Sequence, residues 1–282
     1  MSKHLKNTIE CTLSRGPGAR VFPLCWHGQR LWVKQAVAPK QKVWHRFQRA
    51  AAGILAVPML RPTVSPGGCR GLRFETSHLL RMRDHGVHVP ELVMIDDDWI
   101  VLRDNGHILK DQIKAAVAAG DTAKTCDLIE RAATGLADLH ARECAHGAPL
   151  LRNITICKDG STGFIDFEED PQGCMPVADA QARDVLLFLF SIQREIKKRP
   201  DLLQLGWHKY QLHAGRNAAP LRPLATVLHR IFPVYLVLLL FRRWLGTDAI
   251  TALQTYQTLY RDVGSLAGNP RIGDNSNNST IQ

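Results

Sequence analysis

Two charged residues in the first third of the chain could form a pair, and one of them lies on a face that the pattern predicts to be buried. Lys34 ends a strand-like segment that follows a glycine turn, and Glu75 shares a predicted helix face with Leu72, Leu79 and Met82 at spacings of three and four. A carboxylate on a buried face needs a partner, because an unpaired buried charge is costly. Lys34 is the candidate partner. The alternative is that Lys34 is solvated and that Glu75 reaches water at the edge of the apolar stripe.

A second cluster lies beyond the middle of the chain. The segment His146-Gly147-Ala148-Pro149-Leu150-Leu151-Arg152-Asn153 is followed, thirteen residues after Asn153, by Asp166. A hairpin of that length would return Asp166 to the end of the hairpin where Asn153 lies. Amide and carboxylate oxygens are donors that suit Mg²⁺ bound to phosphates. The alternative is an asparagine cap and a strand-end carboxylate, both of which are common in loops.

The first hundred residues are predicted to form short strands and one helix. The helix spans Leu72–Arg83 and follows a loop rich in proline and glycine over Pro58–Gly71. Strands are predicted where β-branched and aromatic residues lie between turn signals. The predicted strands are Thr8–Leu13, Arg20–Trp26, Leu31–Ala36, and a hairpin of Leu92–Ile95 with Trp99–Leu102.

From about Gly106 the spacing of apolar residues becomes helical. Helices are predicted over Ala123–Arg142, Ala178–Lys198 and parts of Asp201–Leu266, with a hairpin of Ile154–Cys157 and Gly163–Phe167. We therefore predict an α+β chain with an N-terminal half at 1–103, a helical half at 104–267 and a disordered tail at 268–282. A cleft between two such halves is a natural ligand site.

In this order, the residues resemble the protein-kinase-like fold from roughly Ile9 to Ser191. The resemblance implies a bilobal molecule with a small β-rich N-lobe and a larger helical C-lobe. Lys34 matches the strand lysine that holds the α- and β-phosphates of ATP, and Glu75 matches its helix partner. The glycine-rich loop of the family is poorly matched, with Gly16 and Gly18 alone in place.

The second cluster matches the catalytic region of the same family. His146, Asn153 and Asp166 match the catalytic-loop histidine, its metal-binding asparagine and the metal-binding aspartate of the DFG motif. Asp184 matches the aspartate that braces the catalytic loop from below, and it is a charged residue in an otherwise apolar helix. The cofactors that the resemblance implies are ATP and Mg²⁺.

Within this fold, the sequence resembles the bacterial lipopolysaccharide core kinases that act on Kdo and heptose, and the kinase of the KEOPS complex. The matching segments are Leu139-His140 with His146-Gly147, Val87–Leu92 and Leu102–Gly106. The resemblance implies a sugar or a lipid-linked hydroxyl as the phosphoryl acceptor.

Ala148 is the main departure from the family. It occupies the position of the aspartate that takes the proton of the acceptor, and loss of a general base costs about 10²- to 10⁴-fold in rate. Glu168 also replaces the glycine of the DFG motif. One hypothesis is a phosphotransferase with Glu168, Glu169 or Asp170 as a substitute base. The other is a pseudokinase that binds nucleotide, a protein partner or both as a regulatory module.

The charge balance favours anionic partners, with 36 Lys and Arg against 26 Asp and Glu and a net charge of +10. Nucleotide, phosphorylated sugar and phospholipid fit this balance. Nucleic acid is disfavoured, because no recognised reading motif accompanies the charge. The seven widely spaced cysteines lack metal-ligand spacing and predict reduced thiols in a cytoplasmic protein.

The most apolar segment lies near the C-terminus. Ile231–Phe241 has 11 residues, contains Pro233 and is shorter than the about 20 residues that a membrane span needs. We predict that Leu224–Phe241 is a buried core helix. The alternative is a membrane-surface element in which Arg242, Arg243 and Trp244 meet the headgroups, giving a peripheral contact with the inner membrane.

Overall fold

The computed structural model describes residues 2–14, 19–36, 63, 66–196, 199–215 and 219–267. It has a mixed α+β architecture, as predicted. The helices are α1 (Ser2–Ser14), α2 (Gly68–Asp84), α3 (Leu109–Ala118), α4 (Thr122–Ala141), α5 (Val177–Glu195), α6 (Pro200–Ala214), α7 (Leu221–Leu240) and α8 (Thr247–Ala267). The strands are β1 (Val21–Trp26), β2 (Gln29–Gln35), β3 (Leu92–Ile95), β4 (Trp99–Arg103), β5 (His107–Ile108), β6 (Ile154–Ile156) and β7 (Thr162–Phe164).

The first sheet is antiparallel throughout, with strand order β1-β2-β4-β3. Strand β2 is therefore paired on both edges, and Lys34 lies opposite Val21 on one side and Ile100 on the other. The predicted β3–β4 hairpin is confirmed. Because β2 is a central strand, the backbone at Lys34 is held in a fixed register, which fixes the origin of its side chain.

The prediction of a strand at Thr8–Leu13 is wrong, because these residues belong to helix α1. Leu5 and Ile9 are buried against the first sheet, with Leu13 packed beside them. Their spacing of four places all three on one helix face. The β-branched residues in the segment favoured a strand locally, but the longer stripe and the sheet surface that it covers decide for a helix.

Helix α2 begins at Gly68, so the predicted loop Pro58–Gly71 ends earlier than expected. Gly67 and Gly68 have φ angles of 66° and 57°, a left-handed conformation that glycine adopts readily. The chain can therefore turn sharply into the helix at this point. Most of the predicted loop, the positions of Gly16 and Gly18, and the predicted tail at 268–282 lie outside the described residues.

The second sheet, of order β5-β6-β7, lies within the helical half. Its β6–β7 hairpin pairs Ile154 with Phe164, as the sequence predicts. The pairing continues past the strand ends, where the backbone N–H of Ile165 donates to the carbonyl of Asn153 at 2.9 Å. This hydrogen bond brings the segment that contains Asp166 beside the segment that contains Asn153.

The larger hydrophobic core lies among α4, α5 and α6. Buried aromatic side chains from α5 and α6 fill it, with Phe188, Trp207 and Tyr210 all at most 1% exposed. Helix α6 approaches its neighbours closely at Gly206, where an added Cβ would lie 2.9 Å from the side chain of Ile192. This packed block is the support on which the second sheet and the loop after α4 rest.

Helix α2 joins the two halves, because Leu79 and Met82 belong to the larger core although α2 lies between strands of the first sheet in sequence. Strand β4 ends at Arg103, the residue at which we expect the N-terminal half to end. The division into 1–103 and 104–267 remains a prediction. The shared core means that α2 is held by the helical half as well as by the sheet.

Helix α7 corrects the prediction of a wholly buried core helix at Leu224–Phe241. Leu224, Val227 and Leu228 are buried, but Leu240 and Phe241 are 79% and 49% exposed. Among the described residues, α7 is the helix that is long and apolar enough to cross a membrane by length and composition, and 17% of its most apolar window is buried. Its second half extends past the core, and within the described part of the chain several of its large apolar side chains are exposed.

His78, on α2, gives the fold a testable pH dependence. It is 2% exposed and lies in edge contact with Phe167, at 5.2 Å between ring centroids. Burial lowers the pKa of His78 to about 4; Arg81 and His146 also lower it, whereas Asp170 opposes the change. The folded protein therefore holds His78 neutral at a pH at which the unfolded chain would protonate it.

Because the folded pKa is depressed, the contribution of His78 to stability is complete above pH about 6.5 and is lost as the pH falls towards 4. We expect this loss to be about 3 kcal/mol of unfolding free energy between those two values. His78→Leu should therefore show a smaller decrease in urea stability from pH 7 to pH 4.5. His85→Leu, at an exposed histidine after the same helix, should follow the wild type, and equal decreases in all three proteins would contradict the assignment.

Candidate functional site

The candidate site is built around Lys34, whose side chain is 7% exposed and is surrounded by carboxylates. Its Nζ donates to Glu75 Oε1 and to Asp166 Oδ1, both at 2.7 Å, and lies 2.8 Å from Glu168 Oε1. The predicted contact between Lys34 and Glu75 is therefore present. One ammonium group joins strand β2, helix α2 and the segment that follows β7.

The secondary structure explains why these side chains meet. Lys34 is held on a central strand, and Glu75 lies on the face of α2 whose other members, Leu72, Leu79 and Met82, are at most 2% exposed. Glu75 itself is 1% exposed, so the alternative in which it reaches water does not apply. The apolar neighbours exclude water from the Lys34–Glu75 contact and leave the two groups to neutralise each other.

Burial and charge act in opposite directions on the pKa values of this cluster. Burial alone lowers the pKa of Lys34, but the three carboxylates outweigh burial and raise it above its ordinary value. Burial raises the pKa of Glu75 to about 7; the negative charges of Asp166 and Glu168 add to this rise, and Lys34 opposes it. For Asp166, the Lys34 ammonium outweighs burial, and the pKa is lowered. Lys34 is thus a fixed positive charge at neutral pH.

Asp166 has a strained backbone, with a φ angle of 70°. A non-glycine residue in this left-handed region costs about 1–3 kcal/mol and persists where its surroundings enforce it, commonly at functional sites. The side chain of Asp166 is 39% exposed, whereas that of Glu75 is 2% exposed. Asp166 therefore presents a carboxylate to solvent from the same cluster in which Glu75 is sealed.

Glu168 completes a group of three carboxylates. Oxygen atoms of Glu75, Asp166 and Glu168 all lie within 4.8 Å of one another, which is a spacing that can hold a metal ion. Glu168 also accepts a hydrogen bond from Arg20, which immediately precedes β1. No local signal in the sequence pointed to Arg20, because the contact spans 148 positions of the chain.

Asp184 holds the loop that precedes β6. Its carboxylate accepts hydrogen bonds from the backbone N–H groups of His146, at 2.5 Å, and Gly147, at 2.9 Å, and it is fully buried. This is the bracing contact that the resemblance implied for Asp184. His140 lies 3.5 Å from the same carboxylate and contacts the hydroxyl of Tyr210 at 2.7 Å. The sequence did not single out Tyr210, which reaches His140 from helix α6.

His146 connects the loop to the segment of Asp166. Its Nε2 donates to the carbonyl of Ile165 at 3.1 Å, and its Nδ1 accepts from the N–H of Ala148 at 3.2 Å. Burial lowers the pKa of His146, which agrees with a neutral ring that donates from one nitrogen and accepts at the other. Its ring also stacks on Phe167, with centroids 4.7 Å apart. Both contacts fix the position of the residues on either side of Asp166.

Asn153 lies at the opposite end of the same loop and is 4% exposed. Its Nδ2 donates to the carbonyl of Ala148 at 3.0 Å, so this hydrogen bond uses the amide nitrogen and not the amide oxygen. Amide and carboxylate oxygens, such as those of Asn153, Asp166 and Glu168, are hard ligands. Such a donor set suits Mg²⁺.

Ala148 supplies no group that can accept a proton at the centre of this loop. Of the three acidic residues that could substitute, Glu168 is paired with Lys34 and Arg20, as described above. Glu169 contacts Arg183 at 2.9 Å, and Asp170 contacts Arg81 at 2.6 Å. Each substitute base that the sequence suggested is therefore engaged by a cation.

Gly147 fixes how closely the loop approaches the acidic segment. Its φ angle is 94°, and an added Cβ would lie 2.7 Å from the backbone oxygen of Glu169. A side chain at this position would push the two segments apart. Within the acidic segment Glu168–Asp170, the backbone of Glu169 thus lies directly against the loop that contains Ala148.

Comparison with known proteins gives a relative but no family. No protein-family model matches the chain. A protein of Haemophilus influenzae, described as an uncharacterized protein, is 26% identical over 242 residues, which cover 84% of this chain and 88% of that protein. The similarity extends over both halves of the chain and carries no statement about activity.

The buried ion pair at the centre of the site can be tested through stability. At pH 8, Lys34→Met should lower the unfolding free energy by about 3–5 kcal/mol, because it leaves buried carboxylates without their cation. Lys34→Met/Glu75→Gln should recover much of this loss, since it removes the sealed carboxylate as well. The measurement is urea unfolding followed by far-UV circular dichroism.

Lys6 offers a matched control, since it forms an ion pair with Asp96 at 2.6 Å but its side chain is 44% exposed. Lys6→Met should change the unfolding free energy little, because solvent screens exposed pairs. If Lys34→Met and the double variant are equally destabilised, the two groups are not coupled, and the assignment of Glu75 as the partner of Lys34 is wrong.

Proposed function

We propose that this chain has a bilobal, protein-kinase-like fold and acts as a Mg²⁺- and ATP-dependent phosphotransferase. Its acceptor would be the hydroxyl group of a sugar or of a lipopolysaccharide-type lipid. The N-lobe would consist of the first sheet with α1 and α2, and the C-lobe would contain the remaining helices and the second sheet. The nucleotide would bind in the cleft between these lobes, at Lys34.

One observation carries this proposal. A strand lysine, a helix glutamate and an aspartate after a hairpin meet at the ammonium of Lys34, with Glu75 and Asp166 both at 2.7 Å. These three groups come from three separate elements, in the chain order that the kinase-like resemblance requires. Two further contacts support it, namely the bonds of Asp184 to the loop and the stacking of Phe167 on His146.

In this proposal each residue has a defined part. Lys34, oriented by Glu75, binds the negative charge of the nucleotide phosphates, and Asn153 and Asp166 hold Mg²⁺, with Glu168 as a further carboxylate beside them. Mg²⁺, when bound, neutralises charge on the phosphates. His146 and Asp184 position the loop and take no part in bond making.

The transfer forms a bond between the acceptor oxygen and the γ-phosphorus, and it breaks the bond from that phosphorus to the β–γ bridging oxygen. ADP leaves with the bridging oxygen. Ala148 cannot take the proton of the acceptor hydroxyl, so the proton passes to solvent or to the transferred phosphoryl group. Positioning by the remaining residues is then the main source of rate, and we expect a slow enzyme.

The acceptor class and the location belong to the same proposal. A phosphorylated sugar or lipid-linked acceptor agrees with the net charge of +10 and with the resemblance to the lipopolysaccharide core kinases. The cysteine pattern favours the cytoplasm. A peripheral contact with the inner membrane would bring the site to a lipid-linked substrate.

A second candidate function is a pseudokinase that binds nucleotide and regulates a partner. The observation that favours it is Ala148, together with the ion pairs that engage Glu168, Glu169 and Asp170. In this case the Lys34 cluster would serve binding alone. A pseudokinase that binds nucleotide shares this property with the first candidate and lacks turnover, whereas one that binds a protein partner alone lacks both, so one experiment addresses each property.

Calorimetric titration with ATP tests the shared property. We expect binding that requires Mg²⁺, and we expect Asp166→Asn to weaken it by at least about tenfold, because the substitution removes the charge that holds the metal ion. Asp159→Asn is the matched control, since Asp159 lies in the turn of the same hairpin and bonds Ser161. Absence of binding with and without Mg²⁺ would refute nucleotide binding in both candidates.

Substitution of Ala148 tests turnover. Ala148→Asp restores a general base and should raise ATP hydrolysis or phosphoryl transfer by about 10²-fold or more if the remaining site is competent. Ala148→Asn introduces a side chain of nearly the same shape as aspartate that cannot act as a base, so it should leave the rate of the wild type unchanged. A rapid wild type that neither substitution alters would show that proton transfer does not pass through this position. A nucleotide-binding protein that Ala148→Asp leaves inactive would favour the pseudokinase.

A further inference from the structure

The second half of α7 and the turn that follows it expose a set of large apolar side chains, which we call the apolar tip. Leu240 and Trp244 are both 79% exposed, an unusual degree for residues of this size. The tip residues recur at spacings of three and four along α7, so they share one face and continue into the turn. The apolar tip consists of Val234, Leu236, Val237, Leu240, Phe241 and Trp244.

Both charged residues within the turn of the apolar tip are basic, and the next acidic residue along the chain is Asp248, four positions after Trp244. Arg242 and Arg243 lie within the same turn, between Phe241 and Trp244, and both are exposed. The sequence contains no acidic residue from 202 to 247. An apolar surface that ends in exposed arginines and a tryptophan has the composition of an element that lies at the surface of an anionic bilayer.

The geometry of α7 favours lying on the bilayer over crossing it. The first half of the helix is fixed in the core through Leu224, Val227 and Leu228, and the hydroxyl of Tyr256 donates to the carbonyl of Leu228 at 2.6 Å. Residues 234–240 therefore remain for contact with lipid, and seven helical residues span about 10 Å. This length is too short for the hydrocarbon core of a bilayer, which is about 30 Å thick. It matches interfacial helices, whose apolar face enters the bilayer to a depth of about 5–10 Å.

The apolar tip is also held rigidly, so that its exposure is a property of the fold. Phe232 stacks on Tyr260 with centroids 5.1 Å apart, and Tyr235 contacts Tyr256 at 4.5 Å. These contacts fasten α7 to α8 at the start of its exposed half. The apolar tip therefore already has a fixed conformation before it binds, so binding requires little further ordering of the chain.

A second copy of the chain is a less suitable occupant. A twofold interface through the apolar tip would bring Arg242 and Arg243 of one protomer close to the same residues of its partner. Like charges at such an interface repel, and no acidic residue of the segment compensates them. An anionic headgroup layer offers the opposite charge at the same position.

We propose that the apolar tip is a docking element for anionic lipid bilayers. Leu240, Phe241 and Trp244 insert at the level of the headgroups, and Arg242 and Arg243 bind the lipid phosphates. The inference goes beyond the proposed phosphotransferase and does not depend on it, since it requires neither nucleotide nor metal.

The test is cosedimentation of the full chain with vesicles in the absence of nucleotide. Vesicles of phosphatidylcholine with about one third phosphatidylglycerol should bind the protein, and vesicles of phosphatidylcholine alone should bind it at least about tenfold more weakly. Raising the salt concentration should weaken the binding to the anionic vesicles, because salt screens the arginine contribution. Equal binding to both kinds of vesicle, or no binding to either, would overturn the proposal.

Matched variants separate the apolar and charged contributions. Leu240→Gln/Trp244→Gln and Arg242→Gln/Arg243→Gln should each weaken binding by at least about tenfold. The corresponding controls remove an exposed leucine and two exposed arginines elsewhere, through Leu212→Gln on α6 and Arg70→Gln/Arg73→Gln on α2. Controls that lose as much binding as the tip variants would show unspecific attraction and refute the assignment.

Sedimentation equilibrium without vesicles tests whether a second copy of the chain binds the apolar tip. We expect the wild type and Leu240→Gln/Trp244→Gln to have the same oligomeric state. A wild-type dimer that this variant dissociates would assign the apolar tip to self-association and overturn the lipid proposal. Unchanged far-UV circular dichroism in the tip variants would confirm that their effects do not arise from unfolding, as the high exposure of both side chains leads us to expect.

Discussion

The buried ammonium of Lys34 is the interaction on which the arrangement of the site depends. Its three carboxylate neighbours come from α2 and from the segment after β7, and Lys34 itself lies on a strand that is paired on both edges. Glu75 and Asp166 lie on different elements, and the ammonium between them offsets the repulsion of their two negative charges. The raised pKa of Glu75 follows from its burial beside two further carboxylates, and Asp166 reaches the same ammonium from a residue with a left-handed backbone.

The loop opposite this cluster is supported by different means. Asp184 holds its backbone from below, and the contact of His146 with Phe167 links it to α2 through His78. None of these contacts involves the side chain at position 148. The framework of the loop is therefore independent of the residue that would act as a base, which explains how the chain can keep the arrangement with alanine there.

The two proposals rest on opposite physical features of the molecule. The proposed nucleotide site depends on charges that are paired with one another, with Lys34 and Glu75 buried and Asp166 open to solvent, so a ligand there must exchange one set of strong contacts for another. The apolar tip depends on side chains that the fold leaves uncovered, so a ligand there gains mainly from removing apolar surface from water. A peripheral membrane contact would confine the protein to a surface without altering the Lys34 cluster.

The sequence by itself determined the elements whose patterns are local. The spacing of Glu75 with its apolar neighbours predicted a buried carboxylate, and the turn residues predicted the β3–β4 and β6–β7 hairpins. A charge in an apolar helix marked Asp184. These features could be read because helix and strand periodicity reports which face of an element is apolar, and a charge on that face must find a partner.

The tertiary structure alone decided which surfaces meet. Helix α1 replaced a predicted strand because a sheet surface was there to cover Leu5 and Ile9, whereas no element among the described residues covers the second half of α7 in the same way. Arg20 and Tyr210 entered the site through contacts with residues far away in the chain. Periodicity identifies an apolar or charged face but carries no information on what will lie opposite it, since that depends on how distant segments pack.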